Sequence, residues 1–261
     1  MRLQILVTQR CNAICKHCDK AVGYARLSDI EMTEDLMRGF VNEMIRQRIS
    51  FLRVTLSGGE PIVNRELPGI IGQANRIRGC KDFRVLTNDL HSTAEARAAI
   101  KFPNRRWRWA PAPLDDLNDP KSGKNNPGVR YKNRVHLQFW TSPKDIGLKA
   151  TFEDCGVRVW CGKGLDSCGF SMCGQAPIIG RVLGINPYPN HVKDSIFGHI
   201  SKPIPEICEH CMYGCTKADA EATWERIEKG ELPDMSPTYD RALSTRMQHK
   251  EISLVQIGVA S

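Results

Sequence analysis

Short apolar segments alternate with segments of helical periodicity through residues 1–110 of the chain. Parallel strands cannot be joined by tight turns, so a strand that recurs after each helix is typical of βα units. The pattern therefore predicts an α/β fold whose strands end together at one edge of a parallel sheet. The predicted strands are Leu3–Val7, Phe51–Leu56 and Phe83–Thr87, and the predicted helices are one from Thr33, Glu66–Arg78 and Thr93–Ile100.

The alternating part of the chain is too short for a complete eight-unit barrel. Such a barrel needs roughly 250 residues, whereas the cysteine-rich part of the chain already begins at Cys155. We therefore predict a partial (β/α)5–6 TIM-like barrel over residues 1–150 and a C-terminal cysteine-rich extension over residues 151–261. The other predicted elements are strands Arg105–Trp109, Arg134–Trp140 and Ile252–Val259 and helices Ala218–Glu228 and Tyr239–His249.

Three cysteines follow the first predicted strand at Cys-x3-Cys-x2-Cys spacing, namely Cys11, Cys15 and Cys18. Three thiolates this close together can hold three corners of a [4Fe–4S] cluster and leave its fourth iron open to another ligand. A structural zinc site is the alternative, but structural zinc takes four closed ligands and the sequence offers no fourth candidate nearby. The spacing therefore favours an iron–sulfur cluster that binds a further molecule.

The second predicted strand runs directly into Ser57-Gly58-Gly59-Glu60-Pro61. Two glycines allow the backbone to approach a ligand closely, and Glu60 supplies a carboxylate at the strand's carboxyl end. Together with the three cysteines, this motif resembles the radical S-adenosylmethionine superfamily, whose hallmarks are the same cysteine spacing and a Gly-Gly-Glu-Pro-like motif. The resemblance covers about residues 1–110, where the two motifs occur in the family's order.

The resemblance implies a catalytic cofactor and the residues that bind it. Cys11, Cys15 and Cys18 would ligate the cluster, whose open iron would chelate the amino and carboxylate groups of S-adenosylmethionine. One electron from the cluster cleaves the sulfonium, and the resulting 5′-deoxyadenosyl radical abstracts a hydrogen from an unactivated carbon. The family-implied contacts to S-adenosylmethionine are His17, Gly58, Gly59, Glu60, Pro61, Thr87, Asn88 and Asp89, the last replacing the glycine of the family's Thr-Asn-Gly.

Seven of the eleven cysteines lie between residues 155 and 215. Their pattern resembles the SPASM/twitch extensions of the same superfamily, which carry one or two auxiliary [4Fe–4S] clusters, and Ile178–Ile185 is predicted to form hairpin strands there. The sequence allows either one or two auxiliary clusters. It also allows a zinc site at Cys208–Cys211 that two earlier cysteines complete. Cys80 is predicted to be a small buried thiol. The seven cysteines are Cys155, Cys161, Cys168, Cys173, Cys208, Cys211 and Cys215.

Arg106 and Arg108 alternate with Trp107 and Trp109 in the predicted fourth strand. At the two-residue period of a strand, the arginines share one face and the tryptophans the other. In one interpretation, the arginines face the site and bind an anionic substrate or the methionine carboxylate. In the other, the tryptophans pack under helices and the arginines are solvated or paired.

Asp115 and Asp116 follow that strand at the expected active-site edge. They either hold a substrate or cap a turn. With Arg106 and Arg108 they complete the set of weak candidates for catalytic residues.

The formal net charge of +8 favours an acidic substrate or partner. A small molecule, a nucleotide or a modified nucleobase would fit, and nucleic acid stays open although no recognised nucleic-acid-binding module is present. A peptide- or protein-modifying SPASM maturase is the alternative enzyme. A zinc-stabilised nucleic-acid-binding protein is a remote alternative, because it leaves the Gly-Gly-Glu-Pro motif unexplained.

The sequence contains no signal-peptide pattern and no apolar run long enough to span a membrane. So many thiols suit a reducing compartment, so we expect a cytoplasmic protein. The resemblance also implies an electron donor such as a flavodoxin or a ferredoxin.

Overall fold

A computed structural model describes residues 1–12, 18, 20–22, 31–88, 94–111, 141–152, 155, 157, 162–188 and 204–248. Six strands of this part form one sheet in the order β4-β3-β2-β1-β5-β6. Strands β1 to β5 run parallel to one another, and β6 runs antiparallel to β5. The protein is therefore a mixed α/β fold, and the described strands do not close into a barrel. The strands are β1 (Arg2–Thr8), β2 (Arg53–Gly58), β3 (Asp82–Thr87), β4 (Trp107–Pro111), β5 (Lys163–Asp166) and β6 (Gly169–Ser171).

The helices cover most of the segments predicted to be helical. The first helix begins after Thr33, whose hydroxyl accepts a hydrogen bond from the Leu36 N–H and so caps the helix. Glu34 and Asp35 occupy its first turn, where negative charge complements the helix dipole. The helices are α1 (Glu34–Arg46), α2 (Leu67–Ala74), α3 (Ala94–Ala99), α4 (Ala176–Leu183), α5 (Pro205–Cys208), α6 (Lys217–Glu228) and α7 (Pro237–Gln248).

The hairpin predicted over Ile178–Ile185 is wrong, because these residues form most of helix α4. Pro177 lies in the first turn of this helix, where its missing N–H costs nothing, and Gly184 ends the helix in a left-handed conformation. The hairpin lies just upstream instead, as β5 and β6. These two strands extend the sheet at its β1 edge, where Leu3 pairs with Lys163 and Ile5 with Leu165.

The two faces of the sheet differ in polarity. One face carries Leu3, Ile5, Val7 and the alternate residues of β2 and β3, which pack with α1 and α2 in the main core. On the opposite side, Leu6 packs with residues of α4. The rest of that side is the polar face, which carries Gln4, Arg53, Ser57, Arg84 and Arg108.

Two of the predicted strands, Arg134–Trp140 and Ile252–Val259, lie outside the described residues. Within the described part, no helix is long and apolar enough to cross a membrane.

Candidate active site

Glu60 joins the ends of β2 and β3. Its side chain has no exposed surface, and it accepts hydrogen bonds from the Asn88 N–H at 2.7 Å and the Thr87 hydroxyl at 3.1 Å. A third hydrogen bond comes from the Ile62 N–H at 3.2 Å, in the short 3-10 turn that begins at the buried Pro61. Burial raises the pKa of this carboxyl, and the three hydrogen bonds partly oppose that effect.

Asn88 connects this carboxylate to the first cysteine. Its side-chain amide donates to the Asn12 Oδ1 at 2.7 Å and to the Cys11 Sγ at 3.7 Å. The Gly-Gly-Glu-Pro motif, the Thr-Asn pair and the first cysteine therefore meet at the carboxyl edge of the sheet. Asn12 was not identified from the sequence, although it directly follows Cys11.

Gly59 lies against the segment that leads into the cysteines. Its N–H donates to the Thr8 carbonyl at 2.8 Å, and the Glu60 N–H donates to the Arg10 carbonyl at 2.8 Å. A Cβ atom at Gly59 would lie 2.1 Å from the Arg10 carbonyl oxygen. Gly58 has φ +143°, a conformation that suits glycine, and a Cβ there would meet the Thr8 carbonyl oxygen at 2.1 Å.

Gly59→Ala is expected to destabilise the fold by about 1–3 kcal/mol, the usual cost of forcing extra atoms into a packed site. The added methyl group must displace the backbone that leads to Cys11. Thermal unfolding measures this loss. Gly72→Ala is the matched control, because this exposed helical glycine has nothing within 4 Å of its Cβ position. We expect the control to be neutral or stabilising by about 0.5–1 kcal/mol, and equal effects of the two changes would contradict the prediction.

Asn64 is a further positioning residue that the sequence did not indicate. Its buried amide donates to the Val7 carbonyl at 2.7 Å and to the Met32 carbonyl at 2.9 Å. It therefore ties the end of β1 to the segment before α1. The Glu31 carboxylate adds to this junction by pairing with Arg10 at 2.6 Å and accepting from the Thr8 hydroxyl at 2.5 Å.

Glu60→Gln is expected to weaken S-adenosylmethionine binding about tenfold or more, since a hydrogen bond to a charged group typically contributes 1.5–3 kcal/mol. Burial raises the pKa of Glu60 in the folded protein. The stability that this group contributes is therefore greatest at pH values below the pKa that Glu60 has in the unfolded chain. That stability is lost as pH rises through the folded pKa. The variant, which does not titrate at this position, should therefore show a weaker pH dependence of its unfolding temperature between acid and neutral pH than the wild type.

Calorimetric titration and thermal unfolding across pH measure these two effects. Glu221→Gln is the control, because this carboxylate is half-exposed on α6 and pairs with Lys217. A Glu60→Gln variant with unchanged affinity would contradict the assignment of this carboxylate to the cofactor.

The predicted arginine contacts are not at this edge. Arg106 donates to the Cys80 carbonyl at 2.9 Å, and its guanidinium lies over the Phe83 ring at 5.4 Å. Arg108 pairs with Asp82 at 3.2 Å, toward the other end of β3. Trp107 is buried and stacks on Phe83 with ring centroids 4.5 Å apart, so the structure favours the interpretation in which the tryptophan packs and the arginines are paired.

Four of the C-terminal cysteines converge. Burial, together with repulsion from the Cys155 and Cys208 thiols, raises the pKa of Cys173 to about 12. Burial and repulsion from Cys173, Cys155 and Cys208 likewise raise the pKa of Cys211 well above its usual range. Cys211 also packs in an apolar cluster against which Cys173 and Cys208 lie, so these thiols and that of Cys155 are near one another in a largely apolar environment.

Cys168 and Cys215 lie apart from these four. Cys168 occupies the turn between β5 and β6, where its N–H donates to the Asp166 carboxylate at 2.8 Å. Cys215 packs with Met212 and Ile227, and burial with a contribution from Asp219 raises its pKa to about 11. Cys80 is buried in the main core, as predicted.

The converging cysteines bear on the zinc alternative. In the described part of the chain, no three His, Cys, Asp or Glu side chains are close enough together to hold a metal ion. A zinc ion needs its thiolates within about 2.3 Å, whereas a four-iron cluster separates its ligands more widely. A single zinc ion therefore does not fit these four thiols where the structure places them.

Helix α7 supports the loop that carries two of these cysteines. The Tyr239 hydroxyl donates to the His210 carbonyl at 2.5 Å, and the Tyr239 ring is fully buried. The His210 Nδ1 forms a hydrogen bond of 2.7 Å with the Ser142 hydroxyl. His210 is thus held by protein groups on both its backbone and its ring.

Several predicted site residues lie outside the described residues. They are Cys15, His17, Asp89, Asp115, Asp116 and Cys161. Cys18 is described and half-buried, and its carbonyl accepts the Ala21 N–H at 3.1 Å.

Sequence comparison identifies relatives of the chain. A GTP 3′,8-cyclase from Xanthomonas axonopodis pv. citri is 31% identical over 165 residues, which cover 60% of this chain and 46% of the relative. The chain is thus similar to a radical S-adenosylmethionine enzyme over part of its length. A GTP 3′,8-cyclase from Peptoclostridium acidaminophilum is 31% identical over 125 residues, which cover 46% of this chain and 35% of the relative. Molybdenum cofactor biosynthesis protein 1 from Bos taurus is 28% identical over 94 residues, which cover 34% of this chain and 14% of the relative.

The chain thus spans less than half the length of these curated relatives, and no family model matches it. Among solved structures, BtrN in complex with AdoMet and 2-DOIA gives a TM-score of 0.31 at 18% identity, covering 39% of this chain and 42% of that chain. SuiB of Streptococcus suis bound to S-adenosylmethionine gives a TM-score of 0.36 at 18% identity, covering 57% of this chain and 32% of that chain.

The similarity agrees with the predicted enzyme class and with its predicted cofactors, a [4Fe–4S] cluster and S-adenosylmethionine. The residues present fit both groups. Cys11 already accepts a hydrogen bond from Asn88, as a cluster-bound thiolate can. Glu60 has no exposed surface and accepts three protein hydrogen bonds, so it holds Thr87 and Asn88 beside Cys11 at the edge where S-adenosylmethionine would lie.

Proposed function

We propose that this radical S-adenosylmethionine relative reductively cleaves S-adenosylmethionine and abstracts a hydrogen from an unactivated carbon of an anionic substrate. Cys11, Cys15 and Cys18 would hold the cluster that supplies the electron. The observation that carries the proposal is the hydrogen-bonded chain from Glu60 through Asn88 to Cys11. This chain brings a buried carboxylate and a cluster thiol to one edge of the sheet.

The wider architecture is part of the proposal. Residues 1–150 would form a partial barrel around the site, and residues 151–261 would form an extension carrying an auxiliary [4Fe–4S] cluster. The four converging cysteines support one auxiliary cluster with all four irons ligated by the protein. Such a cluster would exchange electrons and would not bind the substrate through an open iron.

The substrate class is inferred from charge and from the relatives. The net charge of +8 favours an anion, and the names of two relatives include GTP. A nucleotide is therefore the first substrate to test, before other anionic small molecules and modified nucleobases. We also propose a cytoplasmic setting, with a flavodoxin or a ferredoxin as electron donor.

Anaerobic reconstitution with iron and sulfide, followed by iron counting and a dithionite assay, tests this function. We expect about eight irons per chain, four for each cluster, and formation of 5′-deoxyadenosine. With GTP deuterated at its carbon atoms as the first candidate substrate, a mass increase of the 5′-deoxyadenosine would show that the abstracted hydrogen comes from GTP. Bound zinc without iron, together with no 5′-deoxyadenosine, would overturn the proposal.

A further inference from the structure

The side-chain amide of Asn88 is oriented by two other residues of the candidate site. Asn88 is buried, and its backbone N–H is fixed on the Glu60 carboxylate at 2.7 Å. Its side-chain nitrogen lies 2.7 Å from the Asn12 Oδ1 and 3.7 Å from the Cys11 Sγ. An amide nitrogen carries two hydrogens, so both contacts form at the same time. The bond to Asn12 therefore turns the second hydrogen toward the sulfur atom.

Ligation of iron changes what the Cys11 sulfur can do. As a thiol it can donate, and the Asn12 Oδ1 lies 4.0 Å away as the acceptor. A cysteine that binds a metal is a thiolate, which has no hydrogen to donate. In that state the contact with the Asn12 oxygen no longer contributes a hydrogen bond, whereas the bond from Asn88 becomes charge-assisted and stronger.

A hydrogen bond to a ligating sulfur favours the more negative state of an iron–sulfur cluster. The donor offsets negative charge on the thiolate, and reduction by one electron adds to that charge. Hydrogen bonds to the sulfurs are accordingly among the features that set the reduction potential of such clusters. The Asn88 amide would therefore raise the potential of a cluster that Cys11 ligates.

We propose that Asn12 is a positioning residue that sets the reduction potential of the catalytic cluster through Asn88. By holding one hydrogen of the Asn88 amide, Asn12 directs the other at Cys11 and makes the cluster easier to reduce. This inference rests on the proposed function, because it requires the cluster at Cys11, Cys15 and Cys18. The alternative is a structural role, in which the two asparagines only tie the cysteine segment to the end of β3.

A redox titration of the anaerobically reconstituted protein, followed by electron paramagnetic resonance, measures the potential. The signal that changes on addition of S-adenosylmethionine belongs to the catalytic cluster, because the proposed auxiliary cluster would have no open iron. At a fixed potential, we expect the ratio of reduced to oxidised cluster to fall about three- to tenfold in Asn12→Ala, where tenfold corresponds to about 59 mV for one electron. Asn88→Ala removes the donor itself and should lower this ratio at least as much.

The double variant Asn12→Ala/Asn88→Ala separates positioning from an independent effect of Asn12. If Asn12 acts only through Asn88, the double variant should have the same potential as Asn88→Ala. Asn12→Asp keeps an acceptor for the Asn88 amide, so in this background Asn88→Ala should lower the ratio as much as in the wild type. The added charge is present on both sides of that comparison, which also serves if Asn12→Ala fails to bind the cluster.

Asn104→Ala is the matched control. The Asn104 side chain donates to the Asn75 Oδ1 at 2.8 Å, an asparagine pair like that of Asn88 and Asn12. Asn104 precedes β4 and therefore lies at the opposite end of the sheet from the cysteine motif. The control should lose stability in thermal unfolding and keep the wild-type potential.

The outcomes distinguish the two roles of Asn12. Equal potentials in the wild type and Asn12→Ala, or additive shifts in the double variant, would overturn the proposal. A shift in Asn104→Ala as large as that in Asn12→Ala would also overturn it, because lost stability would then explain the change. A wild type that takes up no iron would instead contradict the proposed function, and this inference with it.

Discussion

Cys11→Ala is expected to abolish reductive cleavage of S-adenosylmethionine, lowering 5′-deoxyadenosine formation to background. The three-cysteine motif has no spare ligand, so removing one thiolate leaves too few protein ligands to hold the cluster. The change also removes the sulfur acceptor of the Asn88 side chain at the centre of the site. Anaerobic reconstitution followed by a dithionite assay measures the loss, and Cys15→Ala and Cys18→Ala should behave in the same way.

Cys80→Ala is the matched control for this prediction. Cys80 is a free thiol buried in the main core, away from the carboxyl edge of the sheet. Its replacement removes one sulfur without touching the motif, so cleavage should persist with a small loss of thermal stability. Wild-type cleavage by Cys11→Ala, or equal losses in the two variants, would show that the cysteine motif does not hold the catalytic cluster.

Cys211→Ala is expected to halve the iron content, from about eight to about four irons per chain, while leaving S-adenosylmethionine cleavage in place. Cys211 is one of the four converging cysteines. A cluster whose four irons are each ligated by a cysteine is no longer held in the protein when one of these ligands is removed. The catalytic cluster uses a separate motif, so uncoupled 5′-deoxyadenosine formation should continue. Product formation should be strongly impaired, because the proposed auxiliary cluster would exchange electrons with the substrate.

Cys215→Ala distinguishes an auxiliary ligand from a nearby thiol. Cys215 lies only four residues from Cys211 but packs in a different apolar cluster, with Met212 and Ile227. We expect this variant to keep about eight irons per chain. If Cys215→Ala lost as much iron as Cys211→Ala, or if Cys211→Ala kept its full iron content and wild-type turnover, the four-cysteine assignment would be wrong.

Local patterns predicted the elements that carry the motifs. The strands at residues 2–8, 53–58 and 82–87 lie within two residues of their predicted bounds, because apolar alternation and β-branched residues are read within a short window. The helix after Thr33 begins where its capping residue places it. Local periodicity was misleading at Ile178–Ile185, since a fully buried helix and a buried strand are both continuous apolar runs.

The sequence by itself determined which motifs follow the first two strands, and it predicted that their residues carry the chemistry at the carboxyl edge of the sheet. Cysteine spacing and the Gly-Gly-Glu-Pro motif are short-range patterns, and each follows a strand whose direction the α/β alternation already determines. The sequence could not indicate that Asn88 reaches Cys11, because these residues are distant in the chain and meet only through the order of the strands.

Only the tertiary structure decided which of the remaining candidate cysteines and arginines lie together. Seven cysteines in 61 residues looked equivalent, yet four converge while Cys168 and Cys215 pack elsewhere. The arginines of β4 looked like site residues, yet register places Arg108 beside Arg84 and Asp82 at the other end of the sheet. The physical reason is the same in both cases: side-chain neighbours are set by strand register and helix packing, which join segments that local sequence does not relate.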